Sequence, residues 1–156
     1  MARNRAVFSA VTVAILFTFL RAPAIAAGTS NSQLRIAQDV RSVWRTKKIN
    51  AKVDATKRLR GLVLATPSSE VDDQTIHSIA SLLQIKNEAI RYWVAEALGH
   101  FGQRAKFAAP ELIAIVNERE CMIEQTSSLP RIRDTLAKIG SPVPERKCDH
   151  YIRPTK

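Results

Sequence analysis

Cysteine, histidine, glycine and acid are all scarce in this sequence of 156 residues, and each scarcity removes a class of protein. Two cysteines, Cys121 and Cys148, with no C-x-x-C pair exclude a disulfide-dense scaffold and a dithiol redox motif. Three histidines, His77, His100 and His150, stand at no ligand spacing, so no metal and no cofactor is expected. Five glycines and no alternating apolar run offer neither a phosphate-cradling loop nor a hairpin, and no convincing strand. Acids number 14 against 24 Lys and Arg. Aromatic residues make up 6% of the chain, and within the basic segment 35–60 only Trp44 interleaves with the cations, which argues against nucleic acid as a partner.

What is present begins at the N-terminus. Arg3 and Arg5 precede an apolar run over 6–20, and Ala24-Ile25-Ala26 follows it. This is the form of a secretory signal peptide, residues 1–26, with cleavage expected near Ala26. The other reading is an uncleaved anchor, but a run of about 15 residues ending at Arg21 falls short of the roughly 20 that span a bilayer. A periplasmic or secreted mature chain is expected, starting with a small, polar, flexible stretch over 27–32. In an oxidising compartment Cys121 and Cys148 are expected to pair, closing a 28-residue loop worth about 3.5 kcal/mol in the chain-entropy account. Extended chain over 140–148, at roughly 3.3 Å per residue, can run back along a preceding helix of about 16 Å. A redox-active thiol is the alternative and has no supporting motif.

Charge is unevenly placed. Residues 35–60 carry nine basic side chains against Asp39 and Asp54; residues 61–130 carry five against nine acids; from 131 onward there are seven against three. A basic arm, an acidic middle and a basic tail follow one another.

Helical periodicity recurs throughout. Ile36, Val40, Val43 and Trp44 predict a helix over 33–45, and Val53, Leu59, Leu62 and Val63 a second over 51–65, capped by Asn50 and ended by Pro67. Ser69 and Asp72 have the form of a capping box, and Val71, Ile76, Ile79, Ala80 and Leu83 predict a helix to about Ile85. Asn87 restarts the chain into a stripe of Ile90, Val94, Ala97, Leu98 and Phe101, stopped by Gly102. Pro110 opens a helix with Leu112, Ile113, Ile115 and Val116 inward, and Pro130 another with Ile132, Leu136 and Ile139, closed by Gly140. The class is all-α, with about six helices.

Glu96–Gly102, "EALGHFG", lies over Asp134–Gly140, "DTLAKIG", at an offset of 38 residues, with Leu98 on Leu136, Phe101 on Ile139 and Gly102 on Gly140. Such a period with two helices per unit is the signature of an α-solenoid of antiparallel helix pairs. "NEAIRYWVAEALGHFG" followed by "AAPELIAIV" resembles a HEAT repeat of the short type shared with phycobilisome lyase-like proteins, through Asn87, Ile90, Arg91, Ala95, Ala97, Leu98, Gly99, Phe101, Gly102, Ala108, Pro110 and Leu112. The resemblance covers 69–140 and implies structural roles for Asn87 and Arg91. It is weak over 33–66, expected to form basic capping helices, and the Pro-rich stretch 141–156 is expected to be a disulfide-tethered tail. In the second unit Leu129-Pro130-Arg131 replaces Arg91-Tyr92-Trp93, so its arginine is displaced.

The resemblance implies no activity. Most HEAT-repeat proteins bind macromolecules along one face; a hydroxylase of this kind needs paired His-Glu motifs that are absent, a lyase-like enzyme needs a cofactor pocket that the sequence does not display, and export removes the substrate of the glycosylases. On a helical wheel Trp93, Glu96 and His100 form a ridge beside the apolar stripe, Tyr92 points almost opposite that stripe, and the 38-residue offset adds Arg131, Asp134 and Lys138. These seven residues are the expected contact surface for another protein. Alternatively Trp93 caps the core and the charges solubilise the face; Glu96 and His100, four residues apart, read as a helix-surface ion pair before an acid–base pair. The basic arm, including Lys47, Lys48, Lys52, Lys57, Arg58 and Arg60, is the runner-up, a site for an anionic envelope polymer or membrane surface. It also reads as a solvated face, or as cations packed beside the acidic middle. The expected function is non-catalytic protein binding, as an adaptor or assembly factor of the periplasm or envelope.

Overall fold

The computed structural model of the chain describes residues 30–119 and 128–145. The expected signal peptide, both cysteines and the tail beyond 145 lie outside the described residues. Within them the chain is all-α: α1 Asn31–Arg45, α2 Ile49–Ala65, α3 Asp73–Ser81, α4 Glu88–His100, α5 Ala109–Arg119 and α6 Leu129–Lys138. Tighter 3₁₀ segments run over Ser68–Glu70, Leu82–Gln84 and Gly102–Ala108. No described helix is long and apolar enough to cross a membrane.

Side-chain caps decide where α1, α3 and α4 begin. The Ser30 hydroxyl accepts from the Gln33 amide at 3.2 Å, so α1 opens at Asn31, within the stretch that composition assigned to a flexible start. Asn87 caps α4, accepting from the Ile90 amide at 3.1 Å. For α3 the cap is Asp72, which accepts from the Thr75 amide at 2.6 Å; Ser69, expected to open a capping box, lies instead in the 3₁₀ turn Ser68–Glu70. Helix α2 departs further. It begins at Ile49 with Lys48 in the cap position and no side-chain bond there, and Asn50, the expected cap, is already inside the first turn.

Helices α4 and α6 are followed by left-handed glycines where the chain turns back. Gly102 and Gly140 have φ of 54° and 69°, the region that costs an L side chain most. After α6 the Ser141 amide donates to the Leu136 carbonyl at 2.9 Å and the Gly140 amide to Ala137 at 3.1 Å, a Schellman closure. The two glycines occupy corresponding places in the 38-residue alignment.

Helix α4 lies against α2, α3 and α6; α1 lies against α2 and α3, and α5 against α6. The α4 stripe of Ile90, Val94 and Leu98 is enclosed in one core with Leu59 and Val63 of α2, Ile76 and Ile79 of α3, and Ile132 and Leu136 of α6. Trp44, grouped with the apolar stripe of α1, is instead 45% exposed, because Val43 takes the inward position and its neighbour is turned about 100° away. Between α4 and α6 the approach is close. The Thr135 hydroxyl donates to the Ala95 carbonyl at 2.8 Å, and a Cβ on Gly99 would stand 3.3 Å from Lys138 Cδ and 3.4 Å from Thr135 Oγ1.

Polar clamps fix the connections. Arg104, from the 3₁₀ segment after α4, donates to Asp73 Oδ1 at 2.6 Å, to the Val71 carbonyl at 2.6 Å and to the Ser68 carbonyl, pinning the chain ahead of α3. Arg91 is buried, and its Nε donates to the Leu83 carbonyl at 3.3 Å. Glu88 Oε2 accepts from the Ser128 amide at 2.9 Å and hydroxyl at 2.7 Å, anchoring the start of α6.

Two predictions follow from the helix ends and the caps. Gly140→Ala is expected to lower unfolding free energy by about 1 kcal/mol or more, whereas Gly61→Ala, inside α2 with open space where a Cβ would go, raises it by roughly 0.5–1 kcal/mol; urea midpoints measure both signs. Burial works against the charge of Asp72, but hydrogen bonds from Thr75 and Gln33 and the nearby Arg104 outweigh it and hold this carboxyl below its ordinary value. A depressed folded pKa contributes stability that is complete above the unfolded value and lost as pH falls through the folded one. The melting temperature of the wild type therefore exceeds that of Asp72→Asn at neutral pH, and thermal scans show the gap closing below about pH 4.

Candidate functional site

Three helices contribute to one face. From α4 come Tyr92, Trp93, Glu96 and His100, from α6 Arg131, Asp134 and Lys138, and from α2 Lys57 and Arg60. The Glu96 carboxylate sits at its centre: Arg60 donates Nη2–H at 2.6 Å and Nε–H at 3.0 Å, a bidentate pair, and Arg131 Nη2 stands 3.9 Å away on the other side. Arg131 also donates to the Tyr92 hydroxyl at 3.0 Å and to Asp134 at 3.3 Å, and Lys138 closes the row on Asp134 at 2.9 Å. The strip runs Arg60, Glu96, Arg131, Asp134, Lys138 with alternating sign.

The aromatic rings are set among these cations. Tyr92 and Trp93 meet edge to face with centroids 4.7 Å apart. The Arg131 guanidinium lies 5.2 Å from the Tyr92 centroid; Arg60 and the Lys57 ammonium lie 5.6 and 5.9 Å from that of Trp93. Both rings are half-buried. Tyr92, expected to point almost opposite the apolar stripe, is thus covered by a side chain of α6.

Electrostatics follow the contacts. The Tyr92 hydrogen bond, joined by the charges of Glu96 and Asp134, raises the pKa of Arg131 against the opposing effect of burial. The hydrogen bond from Lys138 holds Asp134 below the ordinary carboxylate value, with Arg131 adding to it and burial opposing. These groups keep their charges across neutral pH.

The structure links Tyr92, Trp93, Glu96, Arg131, Asp134 and Lys138 of the expected surface by direct contacts, leaves His100 apart from them, and corrects one pairing. Glu96 and His100 do not engage each other: Glu96 is taken up by Arg60, and His100 Nε2 lies 2.9 Å from the Thr66 carbonyl. The acid–base geometry is therefore missing. The basic arm also divides. Lys57 and Arg60 turn toward Trp93, so that Arg60 realises the pairing of arm with acidic middle, while Lys47, Lys48 and Arg58 remain exposed elsewhere and Lys52 reaches the Trp44 ring at 6.0 Å. Sequence reasoning missed Lys57, Arg60 and Thr66 as members of this face. Arg60 stands 36 residues before Glu96 and Thr66 34 before His100, close to the repeat period, but α2 lacks the motif that would have set its register.

The arrangement suits stacking, charge and hydrogen-bond recognition. Among the described residues no three of His, Cys, Asp and Glu are grouped as metal donors. No protein-family model matches the chain, and no curated protein or solved structure is significantly similar to it.

Glu96 holds two arginines apart from each other. Glu96→Ala is expected to cost about 1–3 kcal/mol, since it strands partly buried guanidinium groups, whereas Lys138→Ala, at the exposed end of the row, costs below about 0.5 kcal/mol; urea denaturation of the two variants gives the comparison.

Proposed function

We propose that this chain is an exported, non-catalytic protein-binding module of HEAT-like repeats, an adaptor or assembly factor of the periplasm or cell envelope, which holds another protein along the face built by α2, α4 and α6. The observation that carries this reading is the aromatic pair Tyr92 and Trp93 set half-buried among Lys57, Arg60 and Arg131 from the flanking helices. Trp, Tyr and Arg gathered in a partly desolvated patch are the composition of an interface hot spot. A fixed strip of alternating charge adds register, because like charges brought against it are repelled.

The repeat reading is supported by the distances along the chain at which its parts are tied. Gln33 to Asp72, Arg60 to Glu96, His100 to Thr66, Arg104 to Asp73, Glu88 to Ser128, Arg131 to Tyr92 and Thr135 to Ala95 join residues 31 to 40 apart, near the 38-residue offset of the sequence alignment. In a stacked repeat each unit contacts its neighbour one period away. Export rests on the form of residues 1–26 and carries with it the expected pairing of Cys121 with Cys148.

The test is affinity capture from native envelope extract on the processed, oxidised chain, washed at low and high salt, followed by direct titration of the retained protein. A discrete partner that survives high salt and binds Trp93→Ala and Arg131→Ala at least about 30-fold more weakly, with melting temperatures of the variants near wild type, is the expected result. Retention of heterogeneous material that salt removes, or unchanged affinity of both variants, overturns it.

A further inference from the structure

The turn between α1 and α2 leaves apolar side chains in water. Trp44, near the end of α1, is 45% exposed and Ile49, the first residue of α2, is 48% exposed. Four residues separate them, and Lys52, one helical turn beyond Ile49, places its ammonium 6.0 Å from the Trp44 centroid. Around them residues 40–53 hold five cations, Arg41, Arg45, Lys47, Lys48 and Lys52, and no acid. Arg41, Arg45, Lys47 and Lys48 form no ion pair with any described residue.

We propose that this turn docks on an anionic lipid surface, with Trp44 and Ile49 entering the headgroup boundary and Arg41, Arg45, Lys47 and Lys48 meeting lipid phosphates. Charge complementarity selects an anionic surface, and each cation held near one adds to binding. The apolar pair selects lipid over a soluble polyanion. A polyanion offers nothing that Trp44 and Ile49 gain by leaving water, whereas an indole with an ammonium beside it suits a boundary that is apolar on one side and charged on the other. The docking turn takes the end of α1 and the first residues of α2, whereas the strip takes Arg60 from the later part of α2 and the rest from α4 and α6, so the proposal does not rest on the protein-binding reading, and a membrane-held chain still has Tyr92 and Trp93 to offer a partner.

Vesicle co-sedimentation tests it. The processed chain, its N-terminus verified by mass spectrometry because a retained apolar run would itself enter lipid, is mixed with phosphatidylcholine vesicles with and without a one-third share of phosphatidylglycerol. Trp44 emission is followed in a Trp93→Phe background. Binding confined to the anionic vesicles is expected, with a blue shift of Trp44 emission. The double variants Lys47→Ala/Lys48→Ala and Trp44→Ser/Ile49→Ser are each expected to weaken partitioning about tenfold. Absence of binding overturns the proposal. So does binding that needs the lysines while Trp44→Ser/Ile49→Ser partitions like wild type and the emission stays unshifted, a result that assigns the turn to polyanions in general.

Discussion

Helix α4 must satisfy neighbours on three sides from thirteen residues, and the rest of the structure is placed by how it does so. Its large aliphatic side chains, Ile90, Val94 and Leu98, fill the core, while Ala95 and Gly99, one turn apart, let α6 come close enough for Thr135 to reach a backbone carbonyl. Small residues on one side and large ones on the other leave a third strip, Trp93, Glu96 and His100, turned toward α2. There packing gives way to charge and hydrogen bonding, because Arg60 and the Thr66 carbonyl stand opposite. Each side of α4 therefore calls for a different chemistry, and substitution on one is felt by a different neighbour.

The charge of the molecule looks different once α4 is in place. In sequence the basic arm and the acidic middle are successive blocks; in space they interleave at one point, where Arg60 from the arm and Arg131 from the tail flank Glu96 from the middle. A lone surface ion pair contributes little, but a carboxylate shared by two guanidinium groups that each lie over an aromatic ring is partly withdrawn from water and correspondingly stronger. Cations left out of that network gather at the α1–α2 turn.

Much of this was legible beforehand. The apolar stripes of α3, α4 and α6, the restart of the chain at Asn87 and the stops at Gly102 and Gly140 follow from side-chain periodicity and from backbone conformations that few residues tolerate. The ridge on α4 and its continuation on α6 followed from helical geometry and the 38-residue offset. What stayed hidden depended on tertiary placement. Trp44 reads as core until Val43 takes the inward position; Arg104 reads as one more surface cation, yet it binds three groups more than 30 residues away. Glu96 and His100 have the spacing of a partnered pair, yet each is taken up by a group of α2 or of the residue that caps it, whose register no motif announced.

Seven side-chain ties bring together residues 31 to 40 apart, from Arg104 and Asp73 at the short end to Thr135 and Ala95 at the long. Seen as a folding problem, such ties set a ceiling on the chain that must be searched before contact is made. Loop-closure entropy grows slowly with length, and here each closure is about the same size. With closures this alike, the entropy cost of ordering the chain is spread over these ties and not loaded on one long crossing.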